Sequence, residues 1–109
     1  MYGPGFYRGR HFTEWVDTVK DLKRADRLEE AVTLLEGLVE ATEAESQAQG
    51  VGVAPWYYEQ LAIIRRKQHD PEAEVEMLER YERQPHAPGM KPPQLAARLE
   101  AARQRLRAN

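Results

Sequence analysis

The stretch Asp26-Arg27-Leu28-Glu29-Glu30-Ala31-Val32-Thr33-Leu34-Leu35-Glu36-Gly37-Leu38-Val39 decides the fold. Leu28, Ala31, Leu34, Leu35, Leu38 and Val39 recur at intervals of three and four, which gathers them into one apolar stripe on an α-helix. Asp26 and Glu29 have the spacing of a capping box, with Asp26 as the predicted N-cap. The stripe fades through Ala41, Ala44 and Ala48, and Gly50 and Gly52 end it, so the spacing predicts a helix over 27–48. Upstream, Trp15, Val19 and Leu22 share a face of a first helix over 13–25, with Thr13 as its N-cap. So short a join between the two forces an antiparallel helical hairpin over 12–48.

Downstream the pattern repeats. Val53-Ala54-Pro55 opens a third helix, because a proline in a first turn lacks only an N–H that would have no partner there. Trp56, Tyr57, Tyr58, Leu61, Ala62, Ile63 and Ile64 follow in the most apolar stretch of the chain. Asp70-Pro71 reads as N-cap and first residue of a fourth helix carrying Val75, Met77, Leu78 and Tyr81 to about Arg83, which completes a hairpin over 54–84. A linker over 85–93 holds four prolines in nine residues. A closing helix over 94–108 aligns Leu95, Leu99, Ala102 and Leu106. Residues 1–11, glycine-rich and aromatic, read as an irregular arm. No segment alternates with period two, so no sheet is expected. The prediction is one all-α domain over 12–109: two stacked antiparallel hairpins and a closing helix.

The hairpins align with each other at an offset of 43 residues, as from Trp15 to Tyr58. Leu22, Leu28, Ala31, Leu35 and Leu38 then fall opposite Arg65, Pro71, Glu74, Leu78 and Tyr81. The spacing of Trp15, Leu22, Ala31, Leu35 and Leu38, with the turn Asp26-Arg27-Leu28-Glu29-Glu30-Ala31, resembles the tetratricopeptide repeat. Tyr58, Leu61, Ala62 and Leu78 carry the likeness in the second hairpin, and residues 55–64 are similar to actinobacterial proteins with such repeats. Arg65 and Glu74 depart from the pattern, and the offset exceeds that family's period of about 34. The resemblance implies helical pairs that bury their apolar faces by stacking, with the first helix of each pair lining a groove for a partner. It also implies that 94–108 is the extra helix that closes such an array.

At 109 residues and 12.6 kDa, the chain is the size of one domain. Sixteen Lys and Arg against eighteen Asp and Glu give a net charge of −2, against a generally basic nucleic-acid binder. With no cysteine, disulfides, thiolate chemistry and Cys-ligated zinc are excluded. No apolar run approaches a membrane span, and the N-terminus lacks a signal-peptide layout, so a cytoplasmic protein without a membrane partner is expected. His11, His69 and His86 lack metal-ligand spacing, Ser46 is the one serine, and no phosphate-binding glycine loop occurs. His69-Asp70 reads as a helix cap. Glu40, Glu43 and Glu45 read as a solvated face. No catalytic residue, cofactor or metal is assigned, and the protein is expected not to be an enzyme.

Two features point to binding. Trp56, Tyr57 and Tyr58 project about 100° apart along a helix, so they cannot all enter one core. Tyr58 is expected inside, and Trp56 or Tyr57 against the loop, the N-terminal arm or a partner. By the groove analogy, Lys20, Lys23 and Arg24 face Arg66 and Lys67, at spacings that can contact carboxylate or phosphate. Residues 27–49 carry −5 and residues 91–109 carry +4, which invites pairing of these helices within or between molecules. The reading is a non-enzymatic scaffold holding an acidic peptide or partner-protein segment through Lys20, Lys23, Arg24, Trp56, Tyr57, Arg66 and Lys67. The alternative is an oligomerisation or structural domain, as a homo-oligomer or part of a larger protein. Nucleic-acid binding through Arg8, Arg10 and the C-terminal arginines ranks third.

Overall fold

The apolar stripe of residues 28–39 forms the spine of the molecule. A computed structural model describes residues 3–108, and in it the second of five α-helices, α2 (Leu28–Gln49), buries Leu35, Leu38 and Val39 completely. The first, α1 (Val16–Arg24), lies against it, followed by α3 (Pro55–Lys67), α4 (Pro71–Glu82) and α5 (Lys91–Ala108). Each helix packs on its neighbours in sequence, and α3 also meets α5. The result is a slab of 47 × 32 × 19 Å. Tyr58 sits at its centre, fully buried, with its ring 5.1 Å from that of Tyr81.

The turns that end α1 and α3 match in the backbone. At the α1–α2 turn, Arg27 N–H bonds to Leu22 C=O (2.9 Å) and Asp26 N–H to Lys23 C=O (3.0 Å). At the α3–α4 turn, Asp70 N–H bonds to Arg65 C=O (2.9 Å) and His69 N–H to Arg66 C=O (3.0 Å). These are the same two helix-ending bonds, each pair displaced by the offset read from the sequence. Asp26 (φ 58°) and His69 (φ 57°) occupy the left-handed position that this termination requires.

That geometry overturns the capping box. Asp26 is the residue that ends α1, so its backbone cannot also adopt the extended conformation of an N-cap. Arg27 takes that place without a side-chain cap. In the second turn Asp70 stands at the equivalent position, and there its carboxylate does accept from Ala73 N–H, with Pro71 as first helical residue.

Three other expectations change at the ends. The arm expected over 1–11 is not irregular in its described part: Phe6–Tyr7 (β1) pairs antiparallel with Arg10–His11 (β2), so a small sheet exists, while residues 1 and 2 lie outside the described residues. Arg8 and Gly9 between them both have positive φ, the two-residue turn that suits the twist of a hairpin. The first helix begins as a 3-10 turn at Phe12–Trp15, and its cap is His11 rather than Thr13, with Glu14 reaching back to His11 N–H. Last, α5 starts at Lys91, because Pro92 and Pro93 fit its first turn, where their missing N–H groups have no acceptor. The remainder of the linker is anchored by Val53, whose N–H bonds to Pro85 C=O, and by His86 stacked on Tyr81.

The β-hairpin docks through a glycine. A Cβ at Gly37 would overlap the Tyr7 ring, so α2 is bare where Tyr7 lies down. Trp15, which aligns with the fully buried Tyr58, is itself only half-buried at this edge, with its ring N–H donating to Tyr7 C=O at 3.2 Å and the Arg10 guanidinium 3.8 Å above it.

Candidate functional site

Three helices share one face. Lys23 on α1 donates to the Gln60 side chain on α3, and Lys91 at the start of α5 pairs with Glu59 on α3 at 2.8 and 3.1 Å. Further along α3, Ile63, Arg66 and Lys67 line a shallow cup of about 480 Å³ whose other wall is Arg98 of α5. Among the described residues, Arg66, Lys67 and Arg98 form no ion pair. Elsewhere on the helices Arg27, Arg80, Arg103, Arg105 and Arg107 each have a carboxylate. Burial holds the Lys23 ammonium below its ordinary pKa, and the nearby charge of Lys67 pushes in the same direction, while Glu59 opposes them. Arg66, Lys67 and Arg98 are thus collected without a carboxylate in ion-pair contact, while Glu59 beside Lys23 is held by Lys91.

Of the residues chosen from sequence, Lys23, Arg66 and Lys67 come together on this face. Lys20 is exposed on α1. Arg24 is exposed too, and its guanidinium is taken by Asp21 one turn back. Arg98 was missed, since nothing in a polar position of a closing helix marks it before α5 is laid beside α3.

Tyr57 is not a surface residue. It is 3 % exposed, its hydroxyl donates to Phe12 C=O at 3.0 Å, and its ring meets Phe12 edge-on at 5.4 Å. The 3-10 turn at Phe12–Trp15 brings that carbonyl over α3, which gives the second ring of the aromatic triplet its own pocket. Burial pushes the Tyr57 pKa up to about 12. Trp56 is half-buried against Tyr57, with ring centroids 5.0 Å apart.

The supposed solvated acidic face divides. Glu40 is exposed, but Glu43 accepts from both Arg80 and Tyr58, and Glu45 accepts from His11 Nε2 at 2.6 Å. Since His11 Nδ1 accepts from Thr13 N–H, the ring proton sits on Nε2. The row Thr13–His11–Glu45 therefore fastens the β-hairpin and the 3-10 turn to α2. The charge asymmetry is met in part by local pairs. Two cations of α5 go to α4, Arg103 to Glu79 and Arg105 to the fully buried Glu74, while on α2 Glu43 pairs with Arg80 and Glu30 with Arg27. Ser46 is buried within α2.

A second concavity shares no lining residue with the Arg66–Arg98 cup. Tyr7, Trp15, Leu22 and Leu34 floor a groove of about 400 Å³ between the β-hairpin, α1 and α2, with Arg8 and Glu29 on its banks. Among the described residues no helix is long and apolar enough to cross a membrane. No protein-family model, curated protein or solved structure matches this chain.

Proposed function

We propose that the chain is a non-enzymatic binding module that holds an acidic segment of a partner protein across the face of α1, α3 and α5. The carrying observation is the cup of Ile63, Arg66, Lys67 and Arg98, three cations without an internal carboxylate around one apolar side chain. Lys23 extends the positive strip along α3, and Lys20 lies beyond it on α1. Guanidinium groups held on two helices suit carboxylates spaced along a chain, and their mutual repulsion is relieved when anions bind. The repeated helix-ending bonds at the two turns support, within the same reading, a tetratricopeptide-like stacking in which first helices line the groove.

The test is fluorescence anisotropy with a labelled glutamate-rich peptide. Binding weakened at least about tenfold by Arg66→Glu with Arg98→Glu, and unchanged by Arg83→Glu at the C-terminal cap of α4, is the expected result. No binding, or equal affinity in the double variant, overturns the assignment. Preference for a DNA duplex of equal charge would move the reading to nucleic acid.

A further inference from the structure

The groove at the N-terminal edge is not used by the reading above, and its chemistry differs. The chain constructs it deliberately in the physical sense: Gly37 leaves room for Tyr7, Tyr7 meets Trp15 edge-on at 5.6 Å, and Arg8 is held at φ 49° with its guanidinium over the Tyr7 ring. Trp15 and Leu22 remain half-exposed along the floor. Arg8 stands on the hairpin bank and Glu29 on the α2 bank, both exposed, and neither forms an ion pair among the described residues. The neighbouring Glu30 is unavailable because Arg27 holds both of its oxygens at 2.8 and 2.7 Å.

We propose that this groove is the contact between two copies of the chain, packed about a two-fold axis so that Arg8 of each copy meets Glu29 of the other. A two-fold contact requires a surface complementary to itself, because the same patch appears on both sides. One cationic bank and one anionic bank flanking a single apolar floor meet that requirement. Rotation by half a turn sets each bank against its opposite and lays Trp15 and Leu22 against their counterparts. A partner of one dominant charge would leave one bank opposed to like charge, which is why a second copy is the better occupant. The contact shares no lining residue with the Arg66–Arg98 cup, so the two proposals stand or fall separately.

Sedimentation equilibrium of the full chain up to millimolar concentration tests this, with Arg8→Glu, Glu29→Arg and their equimolar mixture. Wild type is expected to dimerise. Each variant alone places like charges across the axis twice and should weaken dimerisation at least about tenfold. In the mixture, Glu at position 8 of one copy faces Arg at position 29 of the other, while the native Arg8 faces the native Glu29, so a mixed dimer returns. Both positions are exposed, and the returning mixed dimer itself shows that each variant is folded. A wild type that stays monomeric, variants that dimerise as wild type does, or a mixture that fails to associate overturns the proposal.

Discussion

The guanidinium of Arg80 on α4 grips both oxygens of Glu43 on α2, Nε to Oε2 and Nη2 to Oε1 at 2.8 Å each, and the Tyr58 hydroxyl donates to that same Oε2 at 2.8 Å. One carboxylate thereby ties α2, α3 and α4 together. Glu43→Leu strands the Tyr58 hydroxyl inside the core and leaves Arg80 without its counter-charge. We expect a loss of about 2–3 kcal/mol in urea unfolding, held below the fully buried value because Arg80 keeps contact with water. Pairing Glu43→Leu with Arg80→Met should recover at least about 1 kcal/mol of that loss, since the double change removes both charges. Strict additivity of the single variants would show that the tie contributes nothing specific.

Gly37 offers a change whose sign depends on its neighbour. In an exposed helix interior, Gly→Ala gains about 1 kcal/mol. Here the added methyl would occupy the place of the Tyr7 ring, so Gly37→Ala should destabilise and release the β-hairpin, read as a shift in Trp15 fluorescence and a lower melting temperature. In a Tyr7→Ala background the obstruction is gone. There Gly37→Ala should stabilise by up to about 1 kcal/mol. The same sign in both backgrounds would mean that Tyr7 does not dock on Gly37.

The helices were legible because their signals are local and periodic. The stripe from Leu28 to Val39 and the Asp70-Pro71 cap each specify structure within a few residues. The β-hairpin was not legible, because strands of two residues cannot show alternation and Arg8-Gly9 lacks the Asn or Asp that usually announces such a turn. Glu43 and Glu45 looked solvated because their partners, Arg80 and His11, lie 37 and 34 residues away in sequence. Tyr57 was misplaced for a related reason. Its partner is the Phe12 carbonyl, and a backbone acceptor leaves no trace in sequence. Arg98 joins Arg66 and Lys67 only once α5 lies beside α3.

Alkaline pH should reveal the buried tyrosines. Burial holds Tyr57 neutral up to about 12 and also raises Tyr58 and Tyr81, the former helped by its bond to Glu43. Above the usual tyrosine pKa near 10, the unfolded chain releases these protons while the folded chain keeps them. The folded state then binds more protons, so stability falls as pH rises, by about 1.4 kcal/mol per unit for each such tyrosine. Lys23 acts oppositely. Its folded pKa is lowered, so stability rises as pH climbs through that value and levels off at the unfolded one. Urea unfolding should thus show a slight gain toward pH 10 and a steep loss beyond it. Tyr57→Phe should flatten the loss while costing about 1–2 kcal/mol at neutral pH, because the Phe12 carbonyl loses its donor. An unchanged alkaline slope in that variant would show that Tyr57 ionises freely.

The matched turns make a final prediction that a coincidence of spacing would not satisfy. Asp26 and His69 both hold the left-handed conformation that side chains resist, at φ 58° and 57°, and both donate the same backbone bond into the end of the preceding helix. Glycine adopts this conformation without strain but loses more freedom on folding, so the net gain from Asp26→Gly or His69→Gly is about 0.5–1 kcal/mol. The two turns belong to separate helix pairs, so the gains should add in the double variant within about 0.5 kcal/mol. Thermal and urea unfolding of the three variants decides it. A loss at either position would mean that the left-handed turn is not what ends that helix, and that the two hairpins are not built alike.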